Sequence, residues 1–175
     1  MNLNIEKAIT ILERTPIVIE DYLTGLSPSW TECNEGENTW SAYDIVGHLV
    51  IGEKTDWMTR LQIILKEDGY KRFEPFDRFA QFEHSKGKTL AQLIKDFKLL
   101  RENNIAMLRS LNLKEDALQK KGIHPQFGEV TLAQLLSTWV VHDLGHISQI
   151  SRVMAKHYNE DVGPWKEYLP ILTSK

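Results

Sequence analysis

The sequence predicts an all-α protein, a four-helix bundle with long crossover loops. Long stretches carry apolar residues at the 3.6-residue period of a helix. Three of them begin with a capping-box pattern, a Ser or Thr three residues before an acid or amide. No strand-like alternation of useful length is visible. Four long helices bury their apolar faces together as a bundle, here with at least one long crossover.

The first helix is predicted at about 3–25. Thr15-Pro16 should kink or restart it, because proline fits best in the first turn of a helix. Gly25, with Pro28 shortly after it, should end the helix.

Capping patterns place the other three long helices. The patterns are Ser41-x-x-Asp44, Thr89-x-x-Gln92 and Thr131-x-x-Gln134. The apolar periodicity that follows them predicts helices over about 41–66, 89–111 and 131–157. A short helical turn is expected at 114–118.

The connections are long, and two of them are expected to be ordered. Residues 67–88 carry five aromatic side chains, which favour a loop packed onto the bundle over a free linker. These are Tyr70, Phe73, Phe76, Phe79 and Phe82. The tail at 163–170 is expected to form an ordered cap.

Length and composition predict one domain over 1–175 and exclude several classes of protein. The chain has 175 residues, 42% of them hydrophobic, with a formal net charge of -3. Without a basic patch we expect no nucleic-acid partner. Without an apolar run of roughly 18 residues or a signal-peptide pattern we expect no membrane association. The single cysteine, Cys33, suits the cytoplasm and is more simply a buried or incidental thiol than a nucleophile.

The motif His142-Asp-Leu-Gly-His146 carries the chemistry. Two histidines four residues apart on a helix project from one face and suit two corners of a metal site. That face also carries Leu135, Trp139 and Val153. The pair is therefore expected to point toward the core.

His48 is the expected third ligand. Its helical face is polar but nearly uncharged and consists of small residues (Ser41, Asp44, Gly52, Thr55 and Thr59). The densest apolar stripe lies opposite and includes Trp57. The face is either solvated or lines a cavity, and the cavity is favoured because Glu53, Asp56 and Arg60 lie elsewhere on the helix.

Three histidines from two helices would leave one coordination position open, as in catalytic zinc sites. The alternative is three buried, hydrogen-bonded histidines without a metal. Three imidazoles suit several divalent transition metals, with zinc or nickel preferred here. The remaining histidines, His84, His124 and His157, rank lower as ligands.

Three further residues near these histidines are candidates for supporting roles. Asp143 stands where H-E-x-x-H proteases have their base, but it points about 100° away from His142, which favours a supporting or helix-packing role. Gln149 could orient a water or substrate, and Asp44 could support an imidazole or simply cap its helix. Gly47, Gly52 and Gly145 lie inside the predicted helices, where a glycine either opens space or allows another helix to approach closely.

The motifs resemble the DinB-like superfamily. The resemblance rests on Glu37-Asn-Thr-Trp-Ser41, Asp44-Ile-Val-Gly-His48, His124-Pro-Gln-Phe-Gly-Glu-Val-Thr131 and Trp139-Val-Val-His142-Asp-Leu-Gly-His146. It implies an up-down-down-up bundle, divalent-metal ligands at His48, His142 and His146, and a homodimer.

Members of that superfamily include transferases and isomerases that use the thiols bacillithiol or mycothiol, and metal-dependent hydrolases. The resemblance thus implies a metal-dependent enzyme that acts on a small-molecule substrate, either a hydrolase or a transferase that uses a low-molecular-weight thiol. The alternative is a non-catalytic, stress-associated bundle that binds a small ligand and holds a structural metal.

Overall fold

The computed structural model of the protein describes residues 3–67 and 69–173. Its helices are α1 (Ile5–Leu23), α2 (Pro28–Thr31), α3 (Ala42–Thr55), α4 (Trp57–Leu65), α5 (Ala80–Ser85), α6 (Leu90–Ser110), α7 (Glu115–Leu118), α8 (Leu132–Ala155) and α9 (Pro170–Thr173). The strands are β1 (Lys121–His124) and β2 (Gly128–Thr131). Two 3-10 turns, Lys156–Tyr158 and Gly163–Tyr168, form most of the tail.

The long helices form a four-helix bundle. Helix α1 packs against α6 and α8, and α3 packs against the same two helices. Helices α1 and α3 therefore occupy opposite corners, and the predicted fold class is confirmed. Within the described ranges, none of the helices combines the length and hydropathy that a membrane span requires.

All three predicted capping boxes are present. The side chains of Ser41, Thr89 and Thr131 each accept a hydrogen bond from the backbone N–H three residues later. The acid or amide side chain at that later position accepts one from the backbone N–H of the capping residue. These reciprocal bonds satisfy amide groups that the first turn of a helix leaves without partners. Asp44 is one of these accepting side chains, and its Oδ2 accepts a hydrogen bond from the Ser41 backbone N–H at 2.9 Å.

Pro16 does not restart the first helix, which was one of the two effects predicted for it. Helix α1 runs through Pro16 without interruption. A proline inside a helix leaves the carbonyl four residues earlier without its usual donor. Here that carbonyl belongs to Leu12, and Nη1 of Arg101 donates to it at 2.6 Å. A side chain from α6 thus replaces the missing bond.

The predicted helix at 41–66 is interrupted at Asp56. This residue has φ -110° and ψ -76° and separates α3 from α4. Glu53 and Asp56 are both buried instead of solvated. After the break, Trp57 faces His142, with ring centroids 5.1 Å apart. The assignment of Trp57 to the stripe opposite His48 was therefore wrong.

A layer of buried polar side chains divides the core. One apolar cluster lies around Leu12, Trp57 and Trp139, and another around Ile19 and Phe97. Four buried polar residues lie between the two clusters on helices α3, α6 and α8. We call them the polar layer: Glu53, Arg101, Asn104 and Asp143.

Direct hydrogen bonds hold this layer together. Arg101 donates to both oxygens of Asp143, at 2.6 and 3.1 Å, and to Glu53 at 2.8 Å. Glu53 also accepts from Asn104 at 2.9 Å and from Trp139 at 3.1 Å. Helices α3, α6 and α8 are thereby joined at one level of the bundle.

A β-hairpin that was not predicted from the sequence precedes α8. Strands β1 and β2 pair antiparallel from Lys121 opposite Thr131 to His124 opposite Gly128. Gly128 has φ +73°, which suits the end of a three-residue hairpin loop. A side chain at Gly122 would collide with the Phe73 ring, since its Cβ would lie 2.6 Å from Cε1.

The aromatic crossover at 67–88 packs on the bundle only in part. The Phe73 side chain is buried, whereas Tyr70, Phe79 and Phe82 are exposed. The Phe73 backbone amide donates to Ile123 in the hairpin at 2.9 Å. The hairpin and this crossover therefore lie together at one end of the bundle, next to the histidines.

Candidate metal centre

Helices α3 and α8 bring the three predicted histidines together. The Nε2 atom of His142 lies 3.1 Å from Nε2 of His48 and 3.1 Å from Nε2 of His146. One ring nitrogen from each residue falls within 4.8 Å of the others. His48 is 6% exposed and Gly52 is also buried, so this part of the helical face points into the protein. Thr55 and Thr59, farther along the same face, are exposed to solvent. Among residues 3–67 and 69–173, no cysteine or carboxylate joins this group.

The hydrogen bonds of His146 determine which of its nitrogens can bind an ion. Its Nδ1 lies 2.9 Å from Oε1 of Gln149, which can only accept. The proton therefore lies on Nδ1, and the lone pair of Nε2 points into the cluster. The Nδ1 atoms of His48 and His142 are buried with no partner among the described residues.

Burial keeps the imidazoles of His48 and His146 neutral. It chiefly lowers the pKa of His48 to about 3, and the adjacent His146, His142 and Arg78 add to the shift. Burial also lowers the pKa of His146 to about 4, with a contribution from His142. A metal ion binds the neutral form of histidine, so the donor set suits a divalent transition metal.

A cavity of about 640 Å³ opens beside the cluster, and all three histidines line it. Its volume is within the usual range for small-molecule sites. Apolar side chains form much of the wall: Trp40, Trp57, Pro75, Phe76, Pro125 and Phe127. The charged side chains in the wall are Asp56, Arg60 and Arg78.

Segments without helical periodicity supply most of this wall. The residues of these segments therefore could not be predicted from the sequence pattern. Trp40 precedes α3, and its ring lies 4.8 Å from that of His48. Phe76 and Arg78 come from the crossover, and the Phe76 ring lies 5.4 Å from His48. The hairpin loop contributes Phe127, which stacks on His124 with centroids 4.5 Å apart.

The other histidines and the cysteine lie apart from the cluster. His124 lines the cavity but does not join the three ring nitrogens. His84 contacts Lys54 and Lys88, and His157 packs near Trp30.

Cys33 does not line the cavity. It is half-buried, and burial raises the pKa of its thiol, which keeps the thiol protonated. The interpretation as an incidental thiol fits this position.

The structure distinguishes the supporting residues. Asp143 belongs to the polar layer and faces Arg101, so its role is in helix packing. Asp44 caps α3, whereas Gln149 contacts His146. A Cβ at Gly47 would lie 2.5 Å from Ser85 Oγ, and a Cβ at Gly145 would meet no atom within 4 Å.

Comparison with known proteins identifies a family and a solved structure of similar fold. The family model of the DinB superfamily matches residues 11–150. Among solved structures, the chain is similar to YfiT from Bacillus subtilis, which is described as a probable metal-dependent hydrolase with an unusual four-helix bundle topology. The two are 20% identical, with a TM-score of 0.74 over 87% of this chain and 86% of that one. No curated protein matches.

Proposed function

We propose that this chain, which belongs to the DinB superfamily, is a metal-dependent enzyme that hydrolyses a small molecule. The proposal rests on the convergence of three histidine ring nitrogens at the wall of an open cavity. His48, His142 and His146 would hold the ion, with zinc or nickel preferred. When bound, such an ion supplies Lewis acidity, which lowers the pKa of water toward roughly 7.

The open side of the cluster favours catalysis over a purely structural metal. Structural zinc sites are usually closed by four protein ligands. Only three such residues converge within the described part of the chain, and the cavity lies beside them. Two apolar clusters form the core apart from these histidines. We therefore expect the metal-free protein to remain folded, unlike the non-catalytic bundle with a structural metal.

Asp56 is the residue best placed to accept a proton in the cavity. Burial raises its pKa, although the charge of Arg60 opposes this shift. Nε of Arg60 donates to Oδ1 of Asp56 at 2.6 Å, which fixes the carboxylate. Its other oxygen has no partner among the described residues and is available as a general base.

Thiol-dependent transfer is the second reaction that this site supports. A cavity of about 640 Å³ has room for a small thiol beside an electrophile. Because Cys33 lies outside the cavity, the thiol would come from a cofactor.

Metal analysis of wild type and two histidine variants tests the proposal. Wild type should bind about one equivalent of zinc or nickel, and His146→Ala should bind it more than about 100-fold more weakly, since even loss of a supporting residue costs 10- to 100-fold. His157→Ala replaces an exposed histidine outside the cluster and should behave as wild type. Metal-free wild type should keep its helical circular dichroism.

Activity assays then separate the two reactions. Chromogenic esters, amides and phosphoesters test hydrolysis, and bacillithiol with 1-chloro-2,4-dinitrobenzene tests transfer. Turnover that disappears in His146→Ala but not in His157→Ala supports catalysis. A wild-type protein that binds none of the offered metals, or unfolds without one, contradicts the proposal.

A further inference from the structure

We infer that the substrate carries an anionic group, a carboxylate or phosphate on an apolar body, and that Arg78 binds this group. The inference rests on the proposed function, because it assigns the substrate class of the same cavity. Arg78 acts here as a specificity-determining residue at the rim, and the histidine cluster is the reaction centre.

The charges of the cavity wall do not balance. Asp56 and Arg60 form an ion pair at 2.6 Å, so their charges compensate each other. Arg78 lines the same cavity, and among residues 3–67 and 69–173 no ion pair joins it to a carboxylate. The three clustered histidines add no negative charge in either protonation state. The wall therefore has an excess of one positive charge, before any cation binds.

Aromatic contacts hold Arg78 near the histidines. Its guanidinium lies 5.7 Å from the Trp40 ring and 5.8 Å from the Phe79 ring. Trp40 in turn contacts His48, with centroids 4.8 Å apart. These cation–π contacts leave the planar donors of the guanidinium free for a carboxylate or phosphate, which they match in geometry.

The rest of the wall suits an apolar body. Trp40, Trp57, Phe76 and Phe127 present ring faces and edges to the cavity. Phe127 is 71% exposed at the hairpin loop, where a bound molecule would cover it. An apolar molecule with one anionic end would thus satisfy both the rings and the uncompensated arginine.

Binding of benzoate and benzamide, which share a ring and differ in charge, tests the inference without turnover. Ligand-detected NMR on EDTA-treated, metal-free protein should show benzoate binding about two- to fivefold more tightly than benzamide, which is within the range for a partly exposed charge pair. Arg78→Gln should bring the ratio close to one. Arg72→Gln, an exposed arginine of the same crossover outside the cavity, should keep it.

Three results would overturn the inference: no detectable benzoate binding, equal affinity for the two ligands in wild type, or a preference that survives Arg78→Gln. The third result also counts if it is seen in zinc-loaded protein. An equal preference for benzoate in zinc-loaded wild type and zinc-loaded Arg78→Gln would mean that the metal alone selects the anion. Failure of this inference can be distinguished from failure of the proposed function. An Arg78-dependent preference in a protein that binds no metal sustains this inference alone, and zinc uptake without that preference sustains only the proposed function.

Discussion

Replacing Arg101 by Met tests the energetic role of the polar layer. The substitution keeps an apolar side chain of similar length but removes the donor to Glu53, Asp143 and the Leu12 carbonyl. Two carboxylates would then be buried without a cation. Breaking a buried ion pair by removing one partner costs about 3–5 kcal/mol. Since domains of this size are stable by only about 5–15 kcal/mol, the loss should be large.

The cost should depend on pH, because Arg101 helps to lower the pKa of Asp143. Burial alone would raise this pKa, but the neighbouring His142 and the charge and hydrogen bonds of Arg101 lower it. In wild type this carboxylate stabilises the fold above its unfolded pKa of about 3.9, and the contribution is lost as pH falls. In Arg101→Met, loss of the guanidinium raises the folded pKa of Asp143 relative to wild type, so the variant gains less stability than wild type as pH rises above about 4, or loses stability. The difference between the two proteins should therefore widen from pH 4 to pH 8.

Urea unfolding at several pH values measures this effect. Arg109→Met is the matched control, because Arg109 lies two turns later on α6 and pairs with Glu13 at the surface. Exposed pairs contribute about 0–1 kcal/mol, so this variant should lose little. The reasoning is refuted if Arg101→Met costs less than about 1 kcal/mol, well below the range for a broken buried pair. A cost that stays constant with pH would also refute it.

Two further predictions concern stability. Gly145→Ala should stabilise the protein by about 0.5–1 kcal/mol, because the new methyl group meets open space inside a helix. Gly47→Ala should destabilise it, because the new Cβ would collide with Ser85; thermal unfolding of both compares them, and equal shifts would contradict the prediction. Because the folded pKa values of His48 and His146 are about 3 and 4, the unfolded chain takes up their protons first as pH falls below about 6.5. Metal-free protein should lose about 2–5 kcal/mol between pH 7 and 4.5, and a His48→Gln, His146→Gln double variant should show a flatter profile.

Local sequence signals predicted the helices well. Reciprocal capping pairs such as Thr89 with Gln92 determine a helix start through bonds within four residues. Gly25, with φ +82°, ends the first helix region as its position indicated. These features depend on neighbours in the chain, so one sequence contains the information needed to predict them.

Features that depend on distant partners could not be predicted in this way. The helix continues past Pro16 because Arg101, from another helix, supplies a donor to Leu12. The hairpin strands have only four residues each, too few for a visible alternation, and β1 also pairs with the crossover through Ile123. Tertiary contacts outweigh local propensity at both places.

The same distinction applies to the site. The spacing of His142 and His146 places both on one helical face, and the composition of the face around His48 predicted this residue as the third ligand. Arg78 and Phe76 could not be placed, since an irregular crossover has no period from which to infer a face. Asp56 was placed outside the site because its helix was assumed to be continuous.

The polar layer also bears on how the two ligand-bearing helices are held in register. Apolar packing alone is compatible with several rotations of a helix, whereas hydrogen-bonded charges are satisfied in few. Glu53 follows His48 on α3, Asp143 follows His142 on α8, and Arg101 binds both carboxylates. Aromatic rings contact both imidazoles, Trp40 and Phe76 at His48 and Trp57 at His142. The polar layer holds the backbones of α3 and α8 in register, and the alignment of the two imidazoles depends on that register.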